Sequence, residues 1–307
     1  MINSIEEYLR QLKKEMSGCD RATIQDALSD SEEYLRSALE SKRQANPSVS
    51  GQSALEAIIA EYGNPDEIAE AYRKVESRSS PSLTAEPYKK APSVFPEATE
   101  KVKAPFWKKF FGVVIDPRAW GALLYLLFAL VTGIIYFTWT VTGISLSLGL
   151  LVLIIGIPIA GLFILSTRGL ALLEGRMVEA LLGIRMPHRP LFSQKAGLWG
   201  KFKMLVADKY SWLSMLYMIL QLPLGIIYFS VFISLFAVSL YLILTPLLEL
   251  AWGIPLFTSH YAMVFLSNWM MPVAVIAGAL LFILTLHLAK ITGKLHGNMA
   301  KAMLVRD

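Results

Sequence analysis

Residues 119–167 run for 49 positions without a formal charge, and 210–289 run for 80 positions with one, Glu249. A helical bilayer crossing needs about 20 apolar residues, so each stretch holds two crossings. The first pair is expected at about 119–141 and 144–166, turning at Thr142-Gly143. The second is expected at 212–244 and 271–290, separated by a loop at 245–270 rich in aromatics and proline. Only closed barrels and helices satisfy every backbone group in hydrocarbon, and runs this long favour helices. The expected fold is therefore all-α: a small helical head followed by a polytopic membrane domain of about four spans.

The head, residues 1–79, has 10 Lys/Arg against 15 Asp/Glu, whereas the chain as a whole carries +5. The basic excess therefore lies beside the apolar spans. It precedes the first span (Lys101, Lys103, Lys108, Lys109, Arg118), fills the middle segment (Arg168, Arg176, Arg185, Arg189, Lys195, Lys201, Lys203, Lys209) and ends the chain (Lys290, Lys294, Lys301, Arg306). The two remaining loops carry none. This asymmetry predicts both termini and the middle segment in the cytoplasm, with 245–270 outside. It reads as an orientation signal, not as a surface for direct contact with nucleic acid. The first 30 residues are charged and amphipathic, with no signal-peptide core. One cysteine, Cys19, permits no intrachain disulfide and has no metal-ligand spacing around it.

Within the head, Ile5, Tyr8, Leu9, Leu12 and Met16 recur at helical spacing. A stripe from Ile24 to Leu39 predicts a second helix, which Asn46-Pro47 breaks. Leu55, Ile58, Ile59 and Tyr62 predict a third helix ending at Gly63. Asn64-Pro65, with Glu67 reaching back, starts a fourth. Residues 80–104 form a proline-rich linker.

The membrane part, 105–307, repeats itself. Trp107, Phe110, Asp116, Trp120 and Tyr125 recur 92 positions later as Trp199, Phe202, Asp208, Trp212 and Tyr217, and GIIYF at 133–137 recurs at 225–229. LEGRMVEALL at 173–182 matches LHGNMAKAML at 295–304, an offset of 122, so the second unit is longer by about 30 residues. The units are 105–190 and 197–305, each with two spans, which predicts parallel repeats. Phe106, Trp107 and Phe110, with Trp199 and Phe202 in the second unit, mark interfacial helices. Gly175 and Gly297 permit close backbone approach, and the expected partner of each is the other.

No catalytic or metal-binding constellation is present, so neither an enzyme nor a cofactor is expected. The spans read as free of ionisable residues at their centres, which argues against ion-coupled transport. Gln221 is read as an interhelical bond, Gly156, Pro158 and Pro223 as kinks, and Asp116-Pro117 as a helix start. His188 and His296 are assigned to interfacial basic segments. The candidate binding site is the outer loop, with Glu249, Trp252, His260, Tyr261 and Trp269 suited to an amphiphile or a cation. The alternative is an aromatic belt.

YGNPDEIAEAY at 62–72, following amphipathic helices, resembles the end of the HAAS domain, a bacterial helical signalling module associated with PadR-like helix-turn-helix regulators. FWKKFFGVVIDPRAWGALLYLL at 106–127, GIPIAGLFIL at 156–165 and RGLALLEGRMVEALLGIRMP at 168–187 resemble the sensor membrane-domain family of bacteria and archaea. The resemblance implies a membrane-embedded signal sensor. It would pass a lipid, envelope or hydrophobic-ligand signal through the head to a cytoplasmic partner such as a PadR-like regulator. Membrane lipids and further copies of the chain are other expected partners. A small transporter, or a structural subunit of a membrane complex, is the competing expectation.

Overall fold

The computed structural model describes residues 2, 4–45, 51–78, 106–151, 156–187, 207–255, 257–258 and 263–305. The linker at 80–104, Trp199, Phe202, His188, His260 and Tyr261 lie outside these residues. The described chain is helical apart from a two-residue antiparallel pair, Phe257–Thr258 with Met263–Val264.

The head comprises α1 (Ile5–Glu15), α2 (Arg21–Ala45), α3 (Gly51–Tyr62) and α4 (Pro65–Arg78). Its starts follow from local chemistry. Ser4 Oγ accepts the Glu7 amide at 3.1 Å, Asp20 Oδ1 accepts the Ala22 amide at 2.9 Å, and Glu67 reaches back to the Asn64 amide at 3.0 Å. Gly63 links α3 to α4 at a positive φ of 114°, which favours glycine. The expected stripes meet in one core, where Tyr8, Leu12, Met16, Leu35 and Ile58 are fully buried. Tyr8 donates to the Gly63 carbonyl at 2.8 Å, tying α1 to the α3–α4 turn. Burial, then the nearby Glu76 carboxylate, push the Cys19 thiol upward from its ordinary pKa, which suits an unreactive residue.

The membrane domain begins with α5 (Phe106–Gly112), followed by α6 (Pro117–Leu151), α7 (Gly156–Leu182), α8 (Lys209–Trp252) and α9 (Met271–Leu304). The last four are long and apolar enough to cross a membrane. Their exposed faces carry Leu124, Phe128, Ile135, Leu240 and Ile276, while Ala122, Tyr125, Leu126 and Ala129 of α6 face inward. Such an apolar exterior is the surface that lipid covers.

Three expectations about these helices are corrected. The turn is not at Thr142-Gly143: α6 continues to Leu151, because a helix keeps its backbone bonded in hydrocarbon and Gly143 packs against the Phe163 ring. Pro158 lies in the first turn of α7, where it removes no helical bond, so it makes no kink. The third span continues through Pro246 to Trp252 and stops at Gly253, which is left-handed at φ 61°. This leaves a shorter loop, 253–270.

The internal repeat is a structural two-fold. A Cβ on Gly133 of α6 would lie 2.8 Å from the Gln221 carbonyl oxygen, and one on its repeat equivalent, Gly225 of α8, would strike the Ala129 carbonyl. Thr140 Oγ1 lies 3.6 Å from Met218 Sδ. As residue numbers rise along α6, their partners on α8 fall, so the two helices cross antiparallel. Arg168 meets Asp208 and Glu174 meets Tyr217, so α7 runs alongside α8. Lys290 meets Asp116 and Gly293 meets Ala122, so α9 runs alongside α6. An axis perpendicular to spanning helices is the inverted arrangement. The expectation of parallel repeats is thereby corrected. Two spans per unit do not by themselves fix how the second unit is oriented relative to the first.

Gly175 and Gly297 do not meet: Gly175 faces Met186 and Gly297 faces Ile184, both in the segment after α7.

Gly133→Ala and Gly225→Ala are each predicted to destabilise the membrane domain by about 1–3 kcal/mol through overpacking against backbone. Gly149→Ala, which meets nothing within 4 Å, is the control. Thermal unfolding in detergent should show a lowered midpoint for the first two and none for the third.

Candidate functional site

Where α6 and α8 cross, both units contribute polar side chains to one buried cluster. Glu174 of α7 is fully buried. Tyr125 donates to its Oε1, Tyr217 donates to Oε1 at 2.8 Å, and Tyr136 donates to Oε2 at 3.0 Å. A carboxylate has about four acceptor positions, and these hydroxyls fill three. The repeat equivalent of Glu174 is His296 of α9, which is 2 % exposed. Its Nε2 lies 2.9 Å from Tyr217 Oη and its Nδ1 lies 3.3 Å from Tyr228 Oη.

One assignment of protons satisfies every group. Tyr217 spends its only proton on Glu174, so it accepts from His296 Nε2–H. His296 Nδ1 then accepts from Tyr228. The result is a directed chain, Tyr228 to His296 to Tyr217 to Glu174, joining α7, α8 and α9, and Tyr125 and Tyr136 add α6 to it at Glu174. Tyr125 matches Tyr217 and Tyr136 matches Tyr228 under the repeat, so only the Glu/His position breaks the two-fold.

Two ion pairs flank the cluster and exchange between units. Asp116, the start of α6, accepts the Arg118 amide at 3.0 Å, as expected of a cap, and also pairs with Lys290 at 2.6 Å. Its equivalent Asp208 pairs with Arg168, the equivalent of Lys290, at 2.6 Å. Ser211 lies 3.1 Å from both partners of that second pair. Each Asp thus bonds to a basic residue of the other unit. Gln221 reaches Thr132 Oγ1 on α6 at 3.5 Å, the interhelical bond expected of it.

The reading of the spans as uncharged stopped short of Glu174 and His296, two buried ionisable residues on the continuations of α7 and α9. It ended the spans at the first basic residue, near 167 and 290, whereas α7 and α9 continue as single helices to 182 and 304. His296 is therefore buried and not interfacial. The repeat pointed to this cluster through Tyr125 and Tyr217 and through the alignment of 173–182 with 295–304. What it could not give was that both patterns converge on one point.

The sequence-predicted outer site is not assembled in the same way. Glu249 and Trp252 lie on the last turn of α8 and not in a loop, and Trp269 lies in the turn before α9. Trp252 and Trp269 are 65 % and 71 % exposed. Among the described residues no hydrogen bond or ring contact joins these three, and Glu249 Oε2 is buried with no hydrogen-bond partner. In the interfacial segment Trp107 is exposed and stacks on Phe111, while Phe110 packs on His287 with ring centres 5.5 Å apart. Phe106 lies on the same helix.

The head rests on the end of α9. Lys301 Nζ pairs with Asp20 Oδ2, and both side chains are nearly buried, at 13 % and 12 % exposure. Lys301 follows His296 by five residues, about 7.5 Å along one rigid helix.

Glu174→Leu is predicted to leave three buried hydroxyls short of an acceptor, at about 1–3 kcal/mol each where no other partner is found. Glu174→Gln keeps an acceptor and should cost less. Comparing thermal unfolding of the two in detergent checks this order, and equal midpoints would contradict it.

The family model described as "Putative sensor" matches residues 125–304, more than half the chain, and the HAAS model matches residues 7–71. No curated protein and no solved structure matches the chain. The sensor match spans the whole crossing from Tyr125 to the end of α9, and the HAAS match covers the head that rests on it. The chain is a multi-pass membrane protein that belongs to the Sensor family and carries a HAAS region ahead of its membrane helices.

Proposed function

We propose that the protein is a non-catalytic signal transducer in the cell membrane. The membrane domain responds to a lipid, envelope or hydrophobic-ligand stimulus, and the head relays the response to a cytoplasmic protein such as a PadR-like regulator. The observation that carries this reading is the Asp20–Lys301 pair, because it joins the head to the helix that also bears His296. A stimulus that favours one arrangement of the crossing shifts α9, and the shift reaches Asp20 through one helix. Coupling of this kind needs a physical element that both sites bias, and α9 is that element.

The same pair supports a reading in which the head and the end of α9 lie on one side. The Lys/Arg of the last segment (Lys290, Lys294, Lys301) assign that side to the cytoplasm, which, because α9 runs in the same sense as α6, gives up the expectation that the segment before α6 is cytoplasmic as well. The loop 253–270 lies at the opposite end of α9, a helix of 34 residues and about 51 Å. A cysteine replacing Thr258, in a Cys19→Ser background, should react with an impermeant thiol reagent from outside intact cells. Labelling only after permeabilisation would reverse the orientation.

A pull-down with the full chain in detergent, wild type beside Lys301→Glu, tests the relay. The reading predicts that a cytoplasmic regulator is recovered and that its yield changes when the pair becomes a repulsion. Recovery of membrane proteins alone, equally by both, would favour the transport or assembly alternative.

A further inference from the structure

Where Gln25 of the head faces the membrane domain, a partly open pocket of about 90 Å³ is lined mainly by the membrane domain. Gln25 of α2 forms one wall. Arg168, Asp208 and Ser211 form the polar floor, and Leu172 and Met186 contribute apolar surface. Gln25 follows Asp20 by five residues on α2, so the cavity and the ion pair share an element of the head.

The floor has a specific chemistry. Arg168 Nη2 donates to Asp208 Oδ2 at 2.6 Å and to Ser211 Oγ at 3.1 Å, and Ser211 in turn donates to Asp208 at 3.1 Å. A cation and an anion are thus held side by side. A purely anionic guest would engage Arg168 and meet repulsion from Asp208, and a purely cationic guest the reverse. A zwitterion engages both. The guanidinium takes a phosphate in a charge-assisted, directional bond, and the carboxylate takes N–H donors from an ammonium. The volume corresponds to about three waters, room for a small headgroup and not for a whole lipid. The apolar wall comes from Leu172 of α7 and from Met186, which follows that helix.

We propose that this cavity binds a phosphate ester bearing a primary ammonium, the headgroup chemistry of phosphoethanolamine, and that occupancy fastens the head to the membrane domain. The inference rests on the transducer reading, for which it names a ligand class. The ligand touches Gln25 only when the head is docked, so binding and docking stabilise one another.

The test uses the purified full chain in detergent and follows its thermal midpoint with added dihexanoyl phosphatidylethanolamine, phosphatidylcholine, phosphatidylglycerol or free phosphoethanolamine. The ethanolamine lipid should raise the midpoint saturably. The choline lipid, whose ammonium has no N–H for Asp208, and the anionic glycerol lipid should act at least about tenfold more weakly, as expected for one lost charge-assisted bond. A comparable shift from free phosphoethanolamine would support the same chemistry and assign a soluble source. Asp208→Asn should abolish the preference for ethanolamine over choline. Asp20→Asn, which leaves the floor intact, should weaken binding by loosening the head. Equal shifts from all four ligands, no shift from any, or an ethanolamine preference unchanged in Asp208→Asn would overturn the site. Unchanged affinity in Asp20→Asn would overturn its link to docking. None of these readouts requires a regulator, so failure here leaves the transducer reading standing, and a failed pull-down leaves the cavity standing.

Discussion

Glu174 accepts hydroxyls from both repeat units, and the arrangement of the membrane domain turns on that fact. A carboxylate with no partner inside a packed bundle is costly, and three tyrosine hydroxyls from α6 and α8 offset the cost only if those helices cross where they do. The crossing is close because Gly133 and Gly225 lack side chains. The two requirements are coupled. A wider crossing would withdraw the tyrosines, and a crossing shifted by a turn would bring other residues to Glu174.

The two-fold gives the site its asymmetry. Most positions pair with a like residue in the other unit: tyrosine with tyrosine, aspartate with aspartate, glycine with glycine. Glu174 and His296 are the exception, occupying equivalent places with opposite hydrogen-bonding character. A second glutamate there would compete for the same tyrosine protons, whereas an imidazole both donates and accepts, so the chain of bonds closes. The flanking Asp116–Lys290 and Arg168–Asp208 pairs tie each unit to the other, and α9 carries the arrangement on to Lys301 and the head.

Much of this was legible in the residues. Apolar stripes in the head, the GIIYF repeat and the offsets of 92 and 122 located the helices and named the paired positions. The HAAS-like end of the head and the sensor-like membrane segments were legible too. Three things were hidden, for distinct reasons. The span ends were misplaced because a basic residue was taken to mark the water boundary, although Arg168 and Lys290 are neutralised by Asp208 and Asp116 and the helices continue. The inverted crossing was missed because parity of spans says nothing about where the second unit begins. The burial of His296 was missed because no local pattern distinguishes a histidine facing three tyrosine rings from one facing lipid headgroups.

The central claim is that the crossing and the head form one coupled system through α9. Hydrogen exchange measured peptide by peptide on the full chain in nanodiscs, wild type beside Tyr217→Phe, tests it most directly. Removing this hydroxyl breaks the bond chain between His296 and Glu174 without adding volume. Faster exchange is expected near the crossing, at the end of α9 around 296–304, and at the start of α2 around 20–28, where the head rests. Faster exchange confined to α6, α7 and α8, with the end of α9 and the head unchanged, would contradict the coupling.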